Sequence, residues 1–99
     1  MNEKLVNVHI IRVDGTEERH QVGQRIVMGW IERMIGARGL DTVNLRDGRV
    51  MIVDDLGAVG VPRPVNQKGT VLYHSVCRPG VTHQIHGDVA IVVDAEIGE

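Results

Sequence analysis

Ninety-nine residues, 42% hydrophobic and 24% charged, describe one ordinary domain over 1–99, large enough to bury a core without disulfide or metal staples. A formal net charge of −2 argues against nucleic acid, whose phosphates select a basic excess, and two aromatic residues, Trp30 and Tyr73, make no stacking platform for bases. The lone Cys77 forms no internal disulfide, no signal run follows Met1, and no apolar run approaches the roughly 20 residues of a membrane span, so no membrane association is expected and the expected address is the cytoplasm.

Seventeen valines and no phenylalanine favour strands, because β-branched side chains suit a pleated surface. Residues 5–13 alternate and predict a strand, with Asp14-Gly15 as the hairpin turn. Residues 16–22 return, and Glu17, Glu18, Arg19, His20 and Gln21 mark them as an exposed edge. The period then changes. Ile26, Val27, Trp30, Ile31, Met34 and Ile35 share one helical face, which puts Trp30 in the core. Gly29 costs that helix about 1 kcal/mol against Ala, and Gly36 and Gly39 stop it.

A second hairpin follows, with strands at 42–45 and 50–53 around Asp47-Gly48. Residues 54–64 read as a loop, and Asn66 as the N-cap of a short helix reaching Tyr73 or His74. Asp88 to Asp94 is a near-continuous apolar strand, expected at the centre of the sheet with Val89, Ile91 and Val93 buried. The expected fold is α+β, in the order β-β-α-β-β-α-β: a β-grasp-like mixed sheet crossed by one main helix.

The runs IGARGLDTVNLRDGRVMIVDDLG, VPRPVNQKGTVLY and IHGDVAIVVD carry an ordered set of short motifs: Ile35-Gly36, Asp54-Asp55 with Gly57, Pro64 with Asn66 and Thr70, and Gly87-Asp88. The set resembles a small family of domains of unknown function, the one numbered 3846, found mostly in bacteriophages and mobile elements. The chain departs from that pattern at Asp55, where the family prefers Glu, at the extra Leu56, and at Gly69, which replaces an alanine. The resemblance covers about two-thirds of the chain and implies a phage or mobile-element origin without implying a reaction.

Three clusters are candidates for chemistry. His74-x-x-Cys77 and His83-x-x-His86 are four zinc-type ligands. Only five residues separate the pairs, and in an extended chain His83 and His86 face opposite sides, so the expectation is no bound metal. Cys77 with a nearby histidine would make a nucleophile only with a positioned base and an oxyanion site, so no catalytic residue is assigned. Asp54 and Asp55 read first as turn formers, with metal binding or acid-base work as the sharper alternative. The loop from Gly57 to Asn66 is the best small-ligand candidate: Arg63 is its cation, and Asn66 and Thr70 frame a helix start that attracts anions, with Asp54 and Asp55 alongside. His9 and His20 receive no role, and no cofactor is expected.

The leading functional expectation is a non-catalytic phage or mobile-element accessory protein that binds a host protein, as a host-takeover or anti-defence module. One alternative is a small-ligand binder that sequesters a phosphorylated or nucleotide signal. The other is a small metal-dependent or Cys-dependent enzyme, which the missing constellation places last. The expected partner is thus a host protein or a small anionic ligand, and homo-oligomerisation stays open.

Overall fold

The computed structural model describes residues 3–97; residues 1–2 and 98–99 of the expected domain lie outside the described residues. The elements are β1 (Leu5–Ile11), β2 (Glu17–Gly23), α1 (Val27–Ile35), β3 (Leu40–Asn44), β4 (Arg49–Asp54), α2 (Gln67–His74), β5 (Val89–Val93) and the short α3 (Asp94–Ile97). The class is α+β and the order agrees with expectation up to α3, which is additional. Among the described residues no helix is long and apolar enough to cross a membrane.

Both hairpins turn where their Asp-Gly pairs lie. Gly15 adopts φ 89° and its N–H donates to the Arg12 carbonyl, while the Asp14 carboxylate accepts from the Thr16 N–H and hydroxyl. In the second turn Asp47 and Gly48 are both left-handed, at φ 63° and 72°, as a turn matching the right-handed strand twist demands. Helix α1 ends in a left-handed Gly36, with the Ala37 N–H bonded to the Glu32 carbonyl and the Gly36 N–H to that of Arg33.

The sheet order is β2-β1-β5-β4-β3, with β5 at the centre and β2 at an edge. Every pair is antiparallel, so the expected mixed, β-grasp-like sheet is corrected. The physical reason is the connection from β4 to β5. A parallel neighbour requires a crossover from one end of the sheet to the other. Here α2 leads the chain out and residues 75–88 lead it back, and Val65 bridges His86 where the two legs pass. The chain therefore re-enters at the end it left, and β5 runs antiparallel to both neighbours.

Each face of the sheet has its own core. On one, α1 crosses from β2 to β3 and packs Val27, Ile31 and Ile35 on Val8, Ile10 and Ile52. Trp30 is half-buried there, edge-on to the His20 ring at 5.0 Å between centroids. On the other, α2 and the returning segment bring Leu72, Tyr73 and Ile85 against Ile11, Met51 and Val89. Strand β5 supplies both cores, which explains its unbroken apolar run. Val93 is the exception to its expected burial, at 38% exposed, because α2 does not reach that end of the second face.

Candidate functional site

The half of the second face that α2 leaves open is the main concavity, about 600 Å³ in volume. Register builds it. Arg19 on β2 lies opposite His9 on β1, His9 opposite Ile91 on β5, and Ile91 opposite Met51 on β4. One step along the strands, Gln21 pairs with Asn7 and Arg49 pairs with Val93. Ile91 and Val93 thus form an apolar floor with arginines on both flanks. A second groove of about 410 Å³ shares His9, Arg49 and Ile91 and continues to Lys68 and Val71 on α2. Val71 is 69% exposed, so the rim nearest α2 is also part apolar.

Charge on this face is uneven. Glu17 is held from two sides: Lys68 Nζ donates to its Oε2 at 2.7 Å, and His9 Nε2 donates to its Oε1 at 2.6 Å. The Lys68 bond, then that of His9, holds the Glu17 carboxyl below its usual range. Glu96 is likewise occupied, accepting from the Asn7 backbone N–H at 3.1 Å and from its Nδ2 at 3.4 Å. Gln21 Nε2 donates to Asn7 Oδ1 at 3.2 Å. Arg19 and Arg49 form no ion pair or side-chain hydrogen bond among the described residues. Among the described residues these two guanidinia are cations of the site that no carboxylate holds.

The residues expected to cradle an anion lie elsewhere and are occupied from within. Asp54 is buried, and its Oδ2 lies 3.1 Å from Arg63 Nε and 3.6 Å from Arg38 Nε. The Arg63 contact meets the distance of a hydrogen bond but not its direction, leaving both atoms without a well-aligned partner, so the pair acts by charge. Burial works to raise the Asp54 pKa. The Leu56 and Arg38 amides and the two guanidinia outweigh it and hold the carboxyl ionised, below its usual range. Arg63 also donates through Nη2 to the Gly36 carbonyl at 2.5 Å, clipping the loop to the end of α1.

Asn66 is fully buried. Its Nδ2 donates to the Ile11 and Gly87 carbonyls, each at 3.0 Å, and its Oδ1 caps α2 through the Gly69 N–H at 2.8 Å. The Thr70 hydroxyl accepts from the Ile85 N–H at 3.0 Å. Asp55 alone of the set is exposed. The structure thus brings Arg63 to Asp54, and places Asn66 and Thr70 beneath the returning segment as fold-forming groups. Asn66 and Thr70 meet an anion only by surrendering these bonds, and Arg63 already faces Asp54 and the Gly36 carbonyl.

The histidine and cysteine set is also dispersed into local roles. His74 Nε2 donates to the His83 carbonyl at 2.7 Å, and His86 Nδ1 to the Arg63 carbonyl at 2.7 Å. Cys77 is half-buried against Tyr73, whose hydroxyl its contact, then burial, pushes up in pKa. Among the described residues no three His, Cys, Asp or Glu side chains are disposed to hold a metal, so His74, Cys77, His83 and His86 do not converge.

Reading the sequence missed Arg19, Arg49 and the His9–Glu17–Lys68 chain. Alternation along β2 does place Glu17, Arg19 and Gln21 on one face. Nothing local shows that Arg49, thirty residues later, joins them, because that depends on β5 inserting between β1 and β4. No family model, no curated protein and no solved structure matches the chain.

Proposed function

We propose that this protein is a non-catalytic binding module that holds a partner protein against the open half of its sheet, in the manner of a phage or mobile-element accessory protein occupying a host protein. One observation carries the reading: half of a central sheet face stays uncovered, with exposed Val93 and two guanidinia that no group among the described residues uses. An apolar sheet face is normally buried under a second layer, as the α1 face is here, whereas the open half of the other face leaves Val93 at the surface. Large open patches of mixed apolar and charged character serve association.

The test is site-specific photocrosslinking from within the native host. A photoreactive residue replaces Val93, and a control replaces Glu32, exposed on α1 across the sheet. A discrete adduct from Val93 and none from Glu32 supports the reading. Absence of any adduct from Val93 counts against it. A melting-temperature rise with a nucleotide or phosphorylated metabolite, abolished by Arg63→Ala, would move the protein to the small-ligand class instead.

A further inference from the structure

The open half of the sheet has a charge and shape pattern that narrows the partner's chemistry. We propose that it receives an extended acidic polypeptide segment of the pattern acidic-x-apolar-x-acidic, one carboxylate at Arg19 and the other at Arg49. This rests on the reading of that face as the binding face.

Spacing comes first. Arg19 and Arg49 are three strand intervals and one two-residue step apart, about 16 Å between Cα atoms from standard sheet geometry. One phosphate or carboxylate spans only a fraction of that distance. An extended chain rises about 3.3 Å per residue and repeats its facing every second residue. Residues i and i+4 therefore face the same way about 13 Å apart, which flexible arginine side chains bridge. Residue i+2 then falls over the Ile91 and Val93 floor, where an apolar side chain suits the exposed Val93.

The floor also contains two side-chain amides, Asn7 and Gln21, both exposed. An extended segment arrives with backbone N–H and C=O groups unpaired, and amides satisfy either kind. A helix would bring no such need. Nucleic acid fits less well, because neither aromatic side chain lies here: Trp30 packs on the α1 face and Tyr73 against the α2 core. Of the neighbouring carboxylates, Glu17 is held by Lys68 and His9, whereas Glu96 is bonded to the neutral Asn7 amides, keeps its charge and places the guest's carboxylates away from that edge.

The experiment titrates the isotope-labelled protein with three probes: a capped Glu-Ser-Leu-Ser-Glu peptide, its Gln-Ser-Leu-Ser-Gln counterpart, and a short single-stranded DNA. Amide shifts of Asn7, His9, Arg19, Arg49 and Val93 are read. The expected result is shifts at these amides with the Glu peptide, weakening with salt. Arg19→Gln and Arg49→Gln each reduce affinity by up to roughly fivefold, as exposed ion pairs do, with thermal melting preserved because neither side chain has a partner among the described residues. Equal binding of the Gln peptide, or affinity indifferent to both arginines, overturns the acidic pattern and leaves the binding face standing. Preferential DNA binding on the same amides overturns the choice of a polypeptide. No shift at this face with any probe, together with no Val93 crosslink, overturns the inference and the functional reading alike.

Discussion

Asn66 uses both hydrogens and the oxygen of its amide inside the protein, tying the start of α2 to the ends of β1 and of the returning segment. Asn66→Ala strands two carbonyls and an N–H in the interior, so a loss of about 3 kcal/mol is expected in urea unfolding. Asn66→Asp keeps the cap but sets a carboxylate against the Ile11 and Gly87 carbonyls, and is expected to destabilise at least as much. Arg12 plays the matching part at the surface, donating to Glu18, to Asp88 and to the Met34 carbonyl. The hydrogen bond from Arg12, then that from His20, lowers the Glu18 pKa from 4.5 to about 2. A depressed folded-state pKa stabilises above the unfolded value and fades as the carboxyl protonates. The urea midpoint is therefore expected to fall as pH drops from about 4.5 toward 2, and Glu18→Gln is expected to flatten that slope.

Among the elements, α1 contains a clean test of helix propensity. Gly29 is exposed, and a Cβ there would meet nothing nearer than 3.9 Å, the Arg33 guanidinium. Gly29→Ala is expected to stabilise by roughly 0.5–1 kcal/mol, read as a higher melting temperature. Gly57 behaves oppositely. A Cβ there would lie 2.8 Å from the His86 carbonyl and 3.2 Å from that of Asp54, both backbone atoms. Gly57→Ala must push the loop off the returning segment and should destabilise, although Gly57 has no left-handed φ. The two sheet edges also differ. At β3 the Asp41 carboxylate accepts from the Thr42 N–H, blunting that edge, whereas β2 relies on its charged side chains.

At the scale of the whole molecule the two cores are not separable, because β1, β4 and β5 each contribute to both. Ile52→Ala on the α1 side and Met51→Ala on the α2 side each open a cavity in a fully buried position, costing about 2–5 kcal/mol. Trp30 reports one face and Tyr73 the other. Their unfolding transitions, followed by Trp fluorescence and near-ultraviolet Tyr signals, are expected to coincide in the wild type and to shift together in either variant. Separate transitions would show the faces melting independently.

Local chemistry in the chain determined the elements, since it acts within a few residues. Asp14-Gly15 and Asp47-Gly48 turn the hairpins, Gly36 ends α1, Asn66 starts α2, and the apolar run from Val89 belongs at the centre of the sheet. The edge position of β2 was legible in its charges for the same reason. Strand direction was not, because whether β5 returns parallel or antiparallel depends on where residues 55–88 deliver it. The anion cradle at Arg63 was plausible from composition, but composition does not reveal that Asp54 and the Gly36 carbonyl hold that guanidinium first. Arg19 and Arg49 became one site only when β1 and β5 were laid between their strands, and Val93 became surface only because α2 stops short of it. Tertiary structure decides which side chains find internal partners, and the ones left over are what a binding surface is made from.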